Sequence, residues 1–284
     1  MTNNRSILIT GCSSGIGYGV AMGLKRKGYR VFATARKHED VQRLQSEGFE
    51  SLQLDVANSA SIHSAVSQVL AETGNRLYGL FNNAGYGQPG AVEDLGRDVL
   101  RKQFETNLFG AHELTSLVLP VMRKQGEGRI IQDSSVLGLV ALKYRGAYNA
   151  SKFALEGLTD TLRMELKGTG IYVSLIEPGP VTSDFRKNAY AAFRENIEPE
   201  NSPYRKIYEA MERRLTKEGA VVPFTLGPEA VLKKVIHALE SKSPKARYYV
   251  TVPTYIFGIA KRLLPVSMLD WLLLKASGAE NKDS

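Results

Sequence analysis

The chain has 284 residues, 43% of them hydrophobic and 23% charged, with a formal net charge of +8. That length suits one large α/β domain, or two small ones, with a substantial core, and the single cysteine, Cys12, excludes an intramolecular disulfide. The positive charges are spread out and lack the basic–aromatic alternation of a nucleic-acid groove, so they read as solvated surface with some attraction for anionic ligands or a membrane surface.

In chain order, residues 7–10 read as a short buried strand, and residues 11–17 as a glycine turn into a helix that passes Leu24 and ends near Gly28. Nothing before that strand resembles a signal peptide, and no uncharged apolar run reaches about 18 residues, so a cytoplasmic protein is expected. The spacing Thr-Gly-x-x-x-Gly-x-Gly is wider than the common Gly-x-Gly-x-x-Gly. A glycine-rich turn joins many strands to helices. Here the strand before and the helix after favour a phosphate cradle, in which Gly11, Gly15 and Gly17 let the backbone approach a pyrophosphate. Ser13 and Ser14 add hydroxyl groups, and Cys12 reads as a small loop residue without chemistry.

Residues 30–35 form a second strand, at whose end an acidic residue would bond a ribose 2′-hydroxyl and select NAD. The sequence there is Thr34-Ala35-Arg36-Lys37. Guanidinium forks match phosphate, so NADP(H) is expected over NAD(H), against the plainer reading of two surface cations. A helix over 40–47 leads to a third strand, 51–54. Asp55, just before Val56, contacts adenine, accepts a turn bond or caps the helix over 59–72. Strand four, 78–81, runs into Asn82-Asn83-Ala84-Gly85, a loop stiffened by asparagine side chains with room for a ribose.

Residues 95–123 read as helical, interrupted at 107–110. Asn107 is either a tolerated polar residue or a disturbance that fixes a water. Strand five, 129–132, is followed by Asp133-Ser134-Ser135 at its C-terminal end, the edge where ligands lie in open α/β sheets. A serine there can donate to a substrate oxygen. The four histidines, His38, His63, His112 and His237, fall on outer helices or turns. That placement, with no Gly-x-Ser-x-Gly elbow, argues against a Ser-His-Asp hydrolase, and no metal-ligand cluster is evident.

Tyr148 and Lys152 stand four apart, leading into a helical apolar period over 153–166, so phenol and ammonium share a face. The cation is expected to lower the phenol pKa and fit it for proton exchange. Taken alone, Tyr-x-x-x-Lys is a common helical pattern of exposed residues. Strand six, 171–176, ends in the rigid turn 177–181. Residues 182–226 read as a mobile helical lid. Its aromatic side chains, Phe185, Phe193 and Tyr208 among them, either line an apolar pocket or anchor an insertion. A helix over 228–239 and a last strand, 247–252, precede an apolar extension, 253–278, and a polar tail. The extension is expected to pack within the protein, ahead of a subunit contact or a membrane surface.

Together these pieces resemble the short-chain dehydrogenase/reductase family, nearest its 17β-hydroxysteroid and retinol dehydrogenase and bacterial NADP-dependent aldehyde reductase branch. The matching residues are Thr10-Gly11-Cys12-Ser13-Ser14-Gly15-Ile16-Gly17, Asn82-Asn83-Ala84-Gly85, Asn107, Ser135, Tyr148, Lys152 and Pro178-Gly179, in the family's order over about 185 residues. The resemblance implies a Rossmann-type doubly wound parallel sheet of about seven strands, one domain over 1–284, and a homodimer or homotetramer. It assigns Tyr148 as general acid, Ser135 as the donor to the substrate oxygen, Lys152 to the nicotinamide ribose and Asn107 to a water linking Lys152 to solvent. It places Ile16, Val181 and Ser183 beside the cofactor; the family often has threonine where Ser183 stands. The expected reaction interconverts a hydrophobic aldehyde or ketone and its alcohol. Two alternatives remain open from the sequence, a non-catalytic nucleotide sensor and an epimerase or dehydratase of the same fold. Net NADPH consumption separates a reductase from the epimerase or dehydratase, and absence of turnover across a broad carbonyl panel marks the sensor.

Overall fold

The computed structural model describes residues 5–217, 219 and 223–279. Part of the expected lid (218 and 220–222) and the polar tail lie outside them. Among the described residues seven strands form one parallel sheet: β1 (Ser6–Ile9), β2 (Arg30–Ala35), β3 (Glu50–Gln53), β4 (Gly79–Asn82), β5 (Gly128–Asp133), β6 (Ile171–Glu177) and β7 (Arg247–Tyr249), in the order β3-β2-β1-β4-β5-β6-β7. The helices on the two faces are α1 (Gly15–Arg26), α2 (His38–Ser46), α3 (Ser59–Glu72), α4 (Arg97–Phe104), α5 (Gly110–Gln125), α6 (Gly146–Glu165) and α9 (Glu229–Glu240). Two more, α7 (Phe185–Asn196) and α8 (Arg205–Thr216), fall within the expected lid, and α10 (Val252–Leu263) and α11 (Val266–Ala279) follow β7.

Alternation along the strands builds the layers. Ile7 and Ile9 of β1 pack with α1 and α9 residues such as Val20, Leu24, Val231 and Val235. Leu8, between them, points the other way, onto Ile62, Val66, Leu114 and Val118 of α3 and α5. Side chains on a strand alternate by two, so a strand buried on both sides reads as an unbroken apolar run. The strand order reverses between β1 and β4, and that switch point opens a crevice at the strands' C-terminal ends.

One local expectation holds and two differ. The helix interruption is real: residues Glu105–Phe109 widen into a π-turn between α4 and α5. The last strand stops at Tyr249, and Pro253 sits in the first turn of α10, where its missing N–H costs nothing. The C-terminal extension does not pack wholly within the protein as expected: Leu263 and Val266 are each 75% exposed.

Lid aromatics divide between the two roles considered for them. Phe193 and Tyr208 are fully buried, with ring centroids 5.3 Å apart, and they anchor the lid to the body with Ala91, Leu95 and Ala147. The Tyr208 hydroxyl accepts from Ala91 N at 2.9 Å and donates to the Asp94 carboxylate. Phe185 and Met211 instead face a cavity.

Candidate active site

Four of the expected residues meet at the C-terminal ends of β4 and β5. Helix α6 carries Tyr148 and Lys152 on one face, both buried. Ser135 follows β5 and is held beside the end of β6, because Ser134 N donates to Ile176 O at 2.7 Å and Val136 N to Pro178 O at 2.8 Å. Ser135 Oγ accepts from Leu137 N at 3.1 Å, which leaves its own O–H to give, and it faces the Tyr148 phenol closely enough to draw the phenol's pKa down. Lys152 Nζ donates to the main-chain oxygen of Asp133 at 2.5 Å and lies 5.7 Å from the Tyr148 ring centroid.

The electrostatics correct one expectation. Burial pushes the Tyr148 phenol well above its ordinary value. The Ser135 hydrogen bond opposes the shift, and the Asp133 charge adds to it. Lys152 is itself pushed down by burial, against the pull of Asp133 and Glu156. Desolvation therefore sets the direction of the shift, and the phenol stays protonated at neutral pH. Burial also lifts the Asp133 carboxyl to about 7, against Lys152.

Asn107, on the π-turn, is spent on the protein. Its Oδ1 accepts from Tyr86 N at 3.1 Å, and its Nδ2 donates to Tyr86 O at 3.0 Å and Ser151 Oγ at 3.1 Å. Ser151 Oγ in turn donates to Tyr148 O at 2.8 Å. Its side-chain amide thus ties the loop after β4 to the turn of α6 that carries the phenol.

The glycine turn packs as a cradle. Gly11 and Gly15 take φ values of +71° and +58°, which disfavour any side chain. A Cβ on Gly15 would stand 2.7 Å from Ser183 Cβ, and one on Gly11 2.9 Å from Ala84 Cα. Asn83 Nδ2 donates to Thr10 O and Gly11 O, while the N–H groups of Asn83 and Ala84 donate to Thr10 Oγ1. Ser13, Ser14, Ile16 and Gly17 complete the turn, with Ser14 in extended geometry at the N-cap. The first turn of α1 holds no acidic residue, so its N–H groups fit a dinucleotide pyrophosphate. On the other wall Pro178 braces Val136, Gly179 lies against Thr251 with no space for a Cβ, and Val181 pairs with Leu226. Cys12 is inert, its thiol lifted to about 12 by burial.

Arg36 and Lys37 are exposed at the end of β2, apart from the cluster around Tyr148. Asp55 serves as a turn acceptor, its Oδ1 receiving Ala57 N at 3.0 Å, and the cap of α3 is Asn58. Val56 is buried beneath α5. Sequence reading missed Arg43, whose Nη2 donates to Ser13 O at 2.6 Å across the cradle. Only an argument pairing α2 with the glycine turn could have found it. Beside Tyr148 lies a cavity of about 110 Å³, lined by Leu137, Phe185, Met211 and Leu215 together with Lys143, Arg145, Arg186, Arg214 and Ser277. The Phe185 and Tyr148 rings meet edge-on at 5.3 Å. A protonated phenol with a serine hydroxyl beside it, on the wall of a largely apolar cavity and next to a phosphate cradle, can give a proton to an oxygen that gains negative charge.

The short chain dehydrogenase family model matches residues 5–193. The chain is 46% identical over 269 residues to the uncharacterized oxidoreductase YbbO of Escherichia coli, covering 95% of this chain and 94% of that one. It is 34% identical to human retinol dehydrogenase 8, covering 86% of this chain and 80% of that one. A Burkholderia phymatum short chain dehydrogenase/reductase, solved in complex with NAD, superposes with a TM-score of 0.76 at 26% identity, over 92% and 93% of the two chains.

Proposed function

This chain belongs to the short-chain dehydrogenase family of oxidoreductases, and we propose that it interconverts a hydrophobic aldehyde or ketone and its alcohol with NADP(H). The observation that carries this reading is the largely apolar cavity walled by the Tyr148 phenol, with Ser135 and Lys152 beside that phenol. When bound, NADPH supplies the hydride. The chain's own residues do the rest. Tyr148 gives its proton to the substrate oxygen, and Ser135 steadies the charge on that oxygen while it develops. Lys152 holds the ribose hydroxyls, and Asn107 fixes the turn of α6 from which the phenol points.

The glycine turn holds the pyrophosphate, Asn83-Ala84-Gly85 flank a ribose, and Pro178, Gly179, Val181 and Ser183 line the nicotinamide side. Asp55 and Val56 edge the adenine. The NADP preference rests on Arg36 and Lys37, with Arg43 close to the same edge and no carboxylate at the end of β2. The Burkholderia neighbour binds NAD, so the cofactor arm of the test matters. A hydrophobic substrate is supported by the apolar lining and by the likeness to a retinol dehydrogenase. The protein is read as one domain that works as a homodimer or homotetramer in the cytoplasm.

The test uses purified protein with NADPH or NADH and a graded series of aldehydes and ketones. NADPH should bind more tightly than NADH, and turnover should rise with the apolar length of the substrate. Tyr148→Phe should bind NADPH as before and lose on the order of 10²–10⁴-fold in kcat. Tighter NADH binding would overturn the cofactor assignment, and near-normal turnover by the phenylalanine variant would remove the acid.

A further inference from the structure

Helices α10 and α11 carry their apolar residues on the outside. In α10, Val252, Tyr255, Ile256, Ile259 and Leu263 recur at the spacing of a single helix face. That face points to solvent, with exposures from 46% at Tyr255 to 75% at Leu263. Its buried side holds small residues, Thr254, Gly258 and Ala260. The usual polarity of a surface helix is thus reversed. Helix α11 extends the patch with Val266, Met268, Trp271 and Leu274, each more than half exposed. Single exposed apolar side chains are ordinary on a protein surface, but a contiguous set on two successive helices marks a surface that something covers.

The charges on and around the patch point to the cover. These helices carry Lys261, Arg262 and Lys275 against one carboxylate, Asp270. Among the described residues none of the three cations forms an ion pair. Lys275 Nζ stands 3.9 Å from the Trp271 ring centroid within the patch, whereas Lys261 lies on the side of α10 that faces the body, its Nζ 4.3 Å from the Phe153 ring of α6. An aromatic ring with an ammonium group beside it, flanking aliphatic side chains, suits the boundary between lipid headgroups and acyl chains. A second copy fits less well. A two-fold interface would set this cation-rich patch against itself with one carboxylate per copy to offset it, whereas an anionic surface neutralises the excess. No helix among the described residues is long and apolar enough to cross a membrane.

We propose that α10 and α11 lie flat on an anionic lipid bilayer, with the Leu263–Trp271 face immersed at the acyl boundary. The placement has a consequence for access. Ser277, on the last turns of α11, lines the cavity beside Tyr148. The helix that rests on the bilayer therefore also borders the site, so a lipophilic substrate dissolved in the membrane has a short path to it.

The experiment uses the full chain and unilamellar phosphatidylcholine vesicles containing phosphatidylglycerol, followed by flotation. The chain has one tryptophan, Trp271, so its emission reports on the patch directly, without any turnover. The protein should float with the vesicles, Trp271 emission should shift to the blue, and added salt should weaken the binding. The double variant Ile259→Glu/Leu263→Glu should float about tenfold less or worse, since two apolar side chains no longer enter the bilayer. Its thermal midpoint and its mass in solution should match those of the parent. Two results would overturn the proposal. One is a parent protein that stays with the soluble fraction with its emission unmoved. The other is a variant whose mass in solution falls to a fraction of the parent's, because a second copy would then be what covers the face.

Discussion

At the residue scale the site turns on a competition between burial and charge. The i,i+4 spacing of Tyr148 and Lys152 was legible from the sequence, because helix geometry alone sets it. The sign of the phenol's shift was not, since it depends on how deeply both groups are buried, and burial is a property of the packed whole. Arg43 was illegible for a related reason: it reaches Ser13 across 30 positions of chain. Asp133 adds a testable term. Its carboxyl, lifted to about 7 by burial, sits beside Lys152, and its charge raises Tyr148 further. As pH rises through about 7, Asp133 ionises and holds the phenol protonated, which opposes alcohol oxidation, where the phenol must act as a base. Asp133→Asn should therefore move the rising limb of kcat/KM for oxidation with NADP to lower pH. An unchanged limb would mean that the carboxylate does not act on Tyr148.

At the element scale, the break between α4 and α5 was visible as an asparagine inside a helical run. Its form, a π-turn, follows from contacts that no local pattern encodes. Gly110 opens α5 directly after that turn and lies against the main-chain oxygen of Val56, on the connection from β3 to α3. A methyl group there has no space, and the obstruction is backbone, which cannot swing aside. Gly110→Ala should destabilise the fold by about 1–3 kcal/mol, the usual cost of overpacking, read as a lower midpoint in denaturant with the same slope. Because the π-turn would shift with α5, turnover should fall as well, through Asn107 and its bonds to Tyr86 and Ser151. An alanine variant as stable as the parent would show that α5 is free to slide. The lid teaches a similar lesson. Its aromatic residues were visible, but their division into anchors and cavity lining was decided by which turn of α7 or α8 meets the body.

At the scale of the whole molecule, the order of motifs along the chain was enough to place the sheet and its ligand edge, because parallel α/β connections leave few alternatives. Charge compensation between distant elements left no such trace. Glu177 ends β6, Glu156 and Asp160 lie on α6, and all three face one guanidinium, Arg247 on β7. Its Nη2 stands 2.8 Å from Glu156 Oε2 and 2.8 Å from Asp160 Oδ2, and its Nε 3.1 Å from Glu177 Oε1. Asp160 takes the bidentate contact and is held below its ordinary value by Arg247. Glu177 is fully buried, and burial, with the nearby Glu156 charge, lifts it from 4.5 to about 9 against Arg247. It is thus protonated at neutral pH in the folded protein and ionised in the unfolded chain. A raised folded pKa means that its contribution to stability is complete below about 4.5 and drains away as pH climbs to about 9, at no more than ~1.4 kcal/mol per pH unit. Glu177→Gln keeps the shape and removes the proton. Thermal midpoints of the two proteins should therefore diverge in favour of the glutamine variant as pH rises from 4.5 to about 9, whatever their offset at the acid end. Parallel curves would show that Glu177 is ionised in the fold and that Arg247 is shared among three full charges.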